Sequence, residues 1–221
     1  MCLIVLGWKA HPRYPLIVAA NRDEFHSRSA ARAALWQDKP DILAGRDLQA
    51  MGTWMGVSRR GKFAAVTNYR GAREPSAAES RGALVTHFLA DGALPAGYIA
   101  DVNARAAKYS GFNLLVADRN ELWWMSNRDG TPRKLESGYY ALGNLLLDSP
   151  DVQPIKAKAA DTPPSVEALF SVVAQAKIVN DQYGTRCSTV LLDGGQEMRY
   201  AERAFGPDGA EGTTLHFQFP T

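Results

Sequence analysis

The sequence predicts an α+β fold in which β-sheets are covered by segregated helices. Strand-like and helix-like segments come in blocks, in the order strands, helices, strands, helix, strands, rather than alternating one by one. The first two strand candidates, residues 3–8 and 16–20, are apolar on both faces, as expected for strands covered on each side. The 221 residues, 46% of them hydrophobic, suffice for a sizeable core. No clean boundary divides them, so a single domain over residues 1–221 is predicted.

Two hairpins are predicted in the first third of the chain. The polar and proline-rich residues 9–15 separate the first two apolar runs, which is typical of a hairpin connection. Residues 52–57 and 62–68 are predicted to form a second hairpin around Ser58-Arg59-Arg60-Gly61. The basic run Arg59-Arg60-Gly61-Lys62 at this turn is expected to be solvated. The following residues, 70–78, are rich in Gly, Pro, Ser and charge and are predicted to form a surface loop.

Helices are predicted where apolar residues recur at helical spacing behind a capping residue. Ser80 would cap a helix over residues 82–90, and Ser165 would cap another over residues 166–176. Residues 96–108 also keep a helical period. The remaining predicted strands are residues 112–117, 121–126, 139–142, 185–192, 197–204 and 213–219.

Composition excludes several classes of protein. The net charge is +2 and the basic residues are scattered, so no nucleic-acid partner is predicted. Cys2 and Cys187 cannot make a disulfide framework, and the four histidines have no metal-binding spacing, so neither a metal nor a cofactor is predicted. No apolar run approaches the roughly 18 residues of a membrane span, and no signal peptide is expected. A reducing, cytoplasmic setting is the simplest inference.

Cys2 is the strongest candidate for a functional residue. Removal of Met1 would leave a cysteine that carries both a thiol and a free α-amine, which is a nucleophile with its own base. The usual pKa of an α-amine is about 7.7–8.0 and that of a cysteine thiol about 8.5, so both lie close to neutral pH. The alternative is structural, because free cysteines usually behave as small buried hydrophobes. If Met1 is retained, the built-in base is lost.

The predicted first hairpin brings the polar run at residues 21–24 to Cys2. If the numbers of two paired residues add up to 23, Cys2 lies opposite Asn21, and Asn21 and Asp23 are on the face of Cys2. This is the register that we favour. A sum of 24 puts Arg22 on that face instead. The alternative interpretation is a strand that simply leaves the core for solvent.

The run Ala19-Ala20-Asn21-Arg22-Asp23-Glu24-Phe25 resembles the signature for which the NRDE family is named, a family that includes the transport and Golgi organization protein 2 group. The resemblance extends in order from residue 1 to about residue 193. It implies an N-terminal-nucleophile hydrolase-like fold, a four-layer αββα sandwich of two antiparallel sheets between helical layers. The other matching segments are Met1-Cys2-Leu3-Ile4, Gly45-Arg46-Asp47, Gly52-Thr53-Trp54-Met55-Gly56, Val66-Thr67-Asn68-Tyr69-Arg70, Ser80-Arg81-Gly82, Gly143-Asn144 and Tyr183-Gly184-Thr185-Arg186-Cys187-Ser188-Thr189-Val190.

The wider superfamily includes cysteine-type acylases that act on penicillin V and conjugated bile salts, and similarity to them implies roles for residues of this chain. Cys2 would attack the amide carbonyl, and Asp23 would hold the α-amine. Asn68 and Asn144 would donate hydrogen bonds to the oxyanion, and Arg186 would polarise the site near the thiol. Contacts with the substrate are expected from Asn21, Arg22 and Trp54.

The chain departs from the acylase pattern at one position. The acylases carry an arginine a few residues before the aspartate that corresponds to Asp23, and here that position is Ala20, so Arg186 would have to substitute for it. Trp54 is also explained as a core aromatic flanked by glycines. Two functions are expected. The first is hydrolysis of a linear amide C–N bond in a small molecule, and the alternative is a non-catalytic binding or trafficking protein that holds haem or a lipid in the same pocket.

Overall fold

Thirteen β-strands and four α-helices follow one another along the described part of the chain, which comprises residues 2–71 and 79–220 of this computed structural model. The chain divides into two compact units. The first comprises Met1–Arg28, Ser137–Gly143 and Leu147–Thr221, and the second comprises Ser29–Glu136 and Asn144–Leu146. Each unit is built on one antiparallel sheet that carries two helices, so the predicted α+β class is confirmed.

The first unit contains a six-stranded sheet. Its strands are β1 (Leu3–Trp8), β2 (Leu16–Phe25), β10 (Gly138–Leu142), β11 (Tyr183–Asp193), β12 (Glu197–Phe205) and β13 (Glu211–Pro220), in the spatial order β10-β1-β2-β11-β12-β13. Helices α3 (Gln153–Asp161) and α4 (Val166–Val173) cover one face. The core on that face packs Leu3 and Ala19 of the sheet with Phe170 of α4. In the strand order given above, the central strands β2 and β11 are each hydrogen-bonded to a neighbouring strand on both edges.

The second unit contains a seven-stranded sheet whose strands are neighbours in chain order. They are β3 (Ala30–Leu35), β4 (Ile42–Asp47), β5 (Met55–Ser58), β6 (Phe63–Asn68), β7 (Phe112–Ala117), β8 (Leu122–Ser126) and β9 (Arg133–Leu135). Helices α1 (Arg81–Ala90) and α2 (Pro95–Ala104) pack on it. The core there joins Val66 and Leu114 of the sheet to Phe88 and Ile99 of the helices.

Most predicted elements are present with ends that differ by a few residues, but three strands were not predicted. These are β3, β4 and the short β9. The sequence of β3, AARAAL, is rich in alanine, which favours helices, and most of its side chains are not buried, so it lacks the alternation that marks a strand. In contrast, β2 is longer than predicted. It continues through Phe25 because its polar end pairs with β11.

The two predicted helix caps differ. The Ser165 hydroxyl accepts a hydrogen bond from the Ala168 N–H at 3.3 Å, so the predicted cap of α4 is confirmed. Ser80 precedes α1 in an extended conformation but makes no side-chain capping bond. Both long predicted helices end early: α4 gives way to a 3₁₀ turn at Ala174–Ala176, and α2 is followed by another at Ala106–Lys108.

The basic turn after β5 is not fully solvated, because Lys62 is only 8% exposed. Its ammonium donates to the carbonyl oxygens of Phe88 (3.3 Å), Asp91 (2.6 Å) and Ala93 (2.7 Å), at and beyond the end of α1. Carbonyls at a helix C-terminus favour a cation there. Burial lowers the pKa of Lys62. The expectation of a solvated turn is therefore wrong for Lys62.

Two further sequence predictions concern the loop after β6 and the absence of a membrane span. Positions 72–78 of the predicted surface loop at residues 70–78 lie outside the described residues, as does Met1. Among the helices that are described, none is both long and apolar enough to span a bilayer.

Candidate active site

The pairing of β1 with β2 sets which side chains surround Cys2. Leu3 lies opposite Asn21 and Trp8 opposite Leu16, so paired positions sum to 24 and the favoured register, with a sum of 23, is wrong. Continuing this register by one step places Cys2 opposite Arg22 and on the same sheet face. Asn21 belongs to the opposite face, which α3 and α4 cover.

The Cys2 sulfur contacts both polar groups of the Asp23 backbone. The Asp23 N–H donates to Sγ at 3.4 Å, and the thiol donates to the Asp23 carbonyl oxygen, also at 3.4 Å. Burial, and then the negative charge of Asp23, raise the pKa of the Cys2 thiol to about 11. The Asp23 N–H and the positive charge of Arg22 act in the opposite direction. Near neutral pH this group is therefore a protonated thiol.

The carboxylate of Asp23 is held by a neighbouring strand. Asp23 is 3% exposed, and the Thr185 hydroxyl donates to its Oδ1 at 2.6 Å. Thr185 in turn accepts a hydrogen bond from the Ile178 N–H at 2.9 Å. The Tyr183 hydroxyl donates to the Asp23 carbonyl oxygen at 3.2 Å. The sequence assigned no role to Tyr183 or Thr185, although both lie in a segment that carries the family resemblance.

Asn21 is engaged on both sides of its amide. Its Nδ2 donates to the Val173 carbonyl oxygen at 2.8 Å, and its Oδ1 accepts from the Ser188 hydroxyl at 2.6 Å. The residue is 3% exposed and links β2 to β11 and to the end of α4. Its predicted contact with a substrate stays a prediction.

Arg22 is a buried cation on the face of Cys2. It is 5% exposed and lies opposite Cys187 in the β2–β11 pair, and its guanidinium is 3.9 Å from the Glu24 carboxylate. Cys187 is buried, and burial raises its pKa well above the usual value, with Glu202 acting in the same direction and Arg22 against it. Arg22 can thus act on the electrostatics of Cys2 from the position next to Asp23.

Arg186 binds the end of β2. It occupies a bulge in β11, between Thr185 and Cys187. Its Nη1 donates to the carbonyl oxygens of Phe25 (3.0 Å), His26 (3.2 Å) and Arg28 (3.3 Å). These contacts hold the chain beyond β2, and the predicted effect of Arg186 on the thiol stays a prediction.

The remaining candidate residues belong to the second unit. Asn68 ends β6, and the Asn144 Nδ2 donates to its carbonyl oxygen at 2.7 Å. The Arg70 N–H donates to the Asn144 carbonyl oxygen at 2.6 Å. Trp54 is half-buried with its ring against Gly45, where an added Cβ would collide with the ring. The oxyanion role of the two asparagines and the substrate contact of Trp54 stay predictions.

The chain has sequence relatives across animals. The sequence profile of the family described as Transport and Golgi organisation 2 matches residues 1–163. The human Transport and Golgi organization protein 2 homolog is 39% identical over 163 residues, which is 68% of this chain and 59% of that protein. The Drosophila melanogaster Transport and Golgi organization protein 2 is 30% identical over 170 residues, 68% of this chain and 60% of that protein. The chain thus spans about three-fifths of the length of these relatives.

Solved structures with the same fold are enzymes of low sequence identity. Penicillin V acylase from Agrobacterium tumefaciens superposes with a TM-score of 0.56 at 12% identity, over 92% of this chain and 83% of that one. The Caenorhabditis elegans N-acylethanolamine-hydrolyzing acid amidase ortholog has a TM-score of 0.53 at 12% identity, over 88% and 93%. A mutant conjugated bile acid hydrolase from Clostridium perfringens has a TM-score of 0.53 at 8% identity, over 99% and 97%. The predicted N-terminal-nucleophile hydrolase fold is confirmed.

Proposed function

The chain belongs to the Transport and Golgi organisation 2 family, and on that premise we propose that it is a cysteine hydrolase of the N-terminal-nucleophile type that cleaves a linear amide C–N bond in a small molecule. The observation that carries this proposal is the contact between the Cys2 sulfur and the Asp23 backbone, next to a fixed carboxylate. A free α-amine on Cys2 would be a base attached to the nucleophile itself.

The reaction proceeds in two steps once Met1 is removed. The α-amine takes the thiol proton as the Cys2 sulfur bonds to the carbonyl carbon, and the proton then passes to the leaving nitrogen as the C–N bond breaks. Water hydrolyses the resulting thioester and regenerates the thiol and the amine. While Met1 is present, burial keeps the thiol protonated near neutral pH, so the reaction needs the amine that removal of Met1 exposes. Asp23 holds the amine, and Arg22 stabilises the developing thiolate.

The fold neighbours support the reaction class. They are named as an acylase, an amidase and a hydrolase, although at 8–12% identity they support the chemistry only by analogy. The geometry around Cys2 adds support from this chain itself. A nucleophile that merely filled a core would not need a buried arginine on its own face and a fixed carboxylate behind it.

The test combines the mass of the purified protein with turnover. We expect the wild-type protein to lack Met1 and to cleave at least one member of a panel of penicillin V, conjugated bile salts and N-acylethanolamines. Cys2→Ala should lower kcat by at least about 10³-fold, since it removes the nucleophile. Cys187→Ala, the matched loss of the other thiol, should retain turnover. Complete retention of Met1, or turnover that survives Cys2→Ala, would contradict the proposal.

A second candidate function is binding of an apolar small molecule, such as haem or a lipid, without catalysis. It is favoured by Phe25, which is 54% exposed and meets the Tyr183 ring edge-on at 5.2 Å, just beyond Asp23. Titration with haem or a fluorescent fatty acid should then give a spectral change that Phe25→Ser weakens. Leu48→Ser, at another exposed apolar residue in the second unit, is the control. Unchanged spectra at micromolar ligand would exclude those ligands.

A further inference from the structure

Two hydroxyl groups on β11 hold Asp23 at two different atoms. Thr185 lies opposite Asp23 in the β2–β11 pair, and Tyr183 lies opposite Phe25. The Thr185 hydroxyl donates to the carboxylate oxygen Oδ1 at 2.6 Å, and the Tyr183 hydroxyl donates to the main-chain carbonyl oxygen at 3.2 Å. Since Tyr183 and Thr185 are two positions apart on one strand, their side chains leave it on the same side.

The direction of the Thr185 hydrogen bond is fixed by its second partner. The Ile178 N–H can only donate, and it donates to the Thr185 oxygen at 2.9 Å. The single hydroxyl proton of Thr185 therefore points to Asp23 Oδ1, which acts as the acceptor. Thr185 is 2% exposed, so turning the hydroxyl away would give up this hydrogen bond in a buried setting. The carboxylate is consequently fixed in one orientation.

Tyr183 acts on the atom that the Cys2 sulfur contacts. The Asp23 carbonyl oxygen accepts from the Tyr183 hydroxyl and from the Cys2 thiol, which lies 3.4 Å away. The Tyr183 ring is itself placed edge-on against Phe25, with a centroid separation of 5.2 Å. The hydroxyl thereby fixes the end of β2 at the atom next to the sulfur, and it shares this acceptor with the thiol.

We propose that Thr185 and Tyr183 are positioning residues for the nucleophile of this protein: Thr185 aims the Asp23 carboxylate at the α-amine, and Tyr183 holds the Asp23 carbonyl beside the Cys2 sulfur. This inference rests on the proposed function, because it assigns the two hydroxyls a task in that reaction. Neither residue contacts the reacting carbonyl. Their effect passes through Asp23.

The first test compares variants of Thr185 that keep or remove its hydroxyl. With the amide that the wild-type protein cleaves, Thr185→Val should lower kcat by about 10²-fold, the cost of a misplaced catalytic group, with little change in KM. Thr185→Ser keeps the hydroxyl and should stay within about fivefold of the wild-type kcat. Thermal unfolding of both variants reports whether they fold. Equal kcat for Thr185→Val and the wild type, or equal losses in two folded variants, would overturn the role of Thr185.

Tyr183→Phe removes one hydroxyl with little change in shape and is the milder variant. We expect a kcat several-fold lower at unchanged KM. Tyr14→Phe loses the same atom at the opposite end of β1 and β2, where Tyr14 stacks on His11, and it should behave as the wild type. A Tyr183→Phe protein with the kcat of the Tyr14→Phe control would remove Tyr183 from the proposal.

A second readout does not depend on turnover. The reagent 2-cyanobenzothiazole condenses with an adjacent amine and thiol, so it labels Cys2 once Met1 is gone. Thr185→Val should raise the labelling rate at neutral pH by at least about threefold, because a carboxylate free to turn holds the amine less firmly. Thr185→Ser should match the wild type. Identical rates in all three proteins would overturn the inference. A wild-type protein that cleaves no amide would defeat the proposed function, while the labelling rates would still decide this inference.

Discussion

Arg22 lies directly opposite Cys187 in the β2–β11 pair, and on the face of the sheet that also carries Cys2. Arg22 is 5% exposed and thus lies in the sheet between the positions of the two cysteines of the protein. It favours the thiolate of each, but burial has the larger effect on both pKa values. The resting state of this site is therefore a protonated thiol beside a permanent positive charge.

The raised pKa of Cys2 predicts that its alkylation accelerates up to a higher pH than that of a free cysteine. In protein that retains Met1, the reaction of Cys2 with iodoacetamide should keep increasing with pH towards about 11, because only the thiolate reacts. A free cysteine would level off above about 8.5. Cys187 should stay unmodified until the protein unfolds. Quenched labelling and peptide mapping give both rates, and a plateau for Cys2 near neutral pH would contradict the prediction.

Replacing Arg22 should make Cys2 less reactive. Arg22→Met removes the positive charge, so the pKa of Cys2 should rise further and its alkylation at mildly alkaline pH should slow by about threefold. An apolar side chain at a buried charged position is often tolerated, so the variant should fold. Arg28→Met is the control, since Arg28 also lies within 3.8 Å of the Glu24 carboxylate but is 34% exposed. Equal rates in the two variants would show that Arg22 does not act on Cys2.

The amide of Asn21 should contribute to stability through Ser188. Asn21→Ala leaves the Val173 carbonyl and the Ser188 hydroxyl without their partner, and should lower the free energy of unfolding by about 1–3 kcal/mol. Ser188→Ala should cost less. In a double-mutant cycle measured by urea denaturation, the two changes should couple by about 1 kcal/mol. Strictly additive effects would mean that the 2.6 Å contact between them contributes nothing.

The two helix-capping serines should differ in their effect on stability. Ser165→Ala removes a capping bond to the Ala168 N–H and should lower the free energy of unfolding by about 1 kcal/mol. Ser80→Ala removes a side chain that makes no such bond, and should change it by less than about 0.5 kcal/mol. Chemical denaturation of both variants checks the order, and a larger loss at Ser80 would contradict it.

Apolar patterning located the buried strands, and it failed where a strand is exposed or where a turn decides the register. Leu3–Trp8 and Phe112–Ala117 are predicted with their observed ends because every residue in them is buried. The exposed Ala30–Leu35 carries no such pattern. The connection of the first hairpin begins at Lys9, which adopts a positive φ of 47°. Lysine gives no signal for that conformation, so the sequence left two pairings open.

Several residues of the candidate site were predicted, but the hydrogen bonds that connect them were not. The motif pointed to Cys2 and Asp23, which the structure brings into contact. Thr185 reaches Asp23 across 162 positions of chain, and no local pattern reports a pairing over that separation. The register of the first hairpin, which differs from the favoured one, places Arg22 rather than Asn21 and Asp23 on the face of Cys2.

The extra residue at the bulge of β11 has a consequence for how this segment tolerates change. Thr185 and Cys187 sit opposite Asp23 and Arg22, which are successive residues of β2, so they leave opposite sides of the sheet although one position separates them. Deleting position 186 would restore simple alternation with Thr185 still opposite Asp23 and Cys187 still opposite Arg22. The pairing of the two strands therefore tolerates the loss of this residue. What would disappear is the guanidinium that binds the carbonyl oxygens of Phe25, His26 and Arg28.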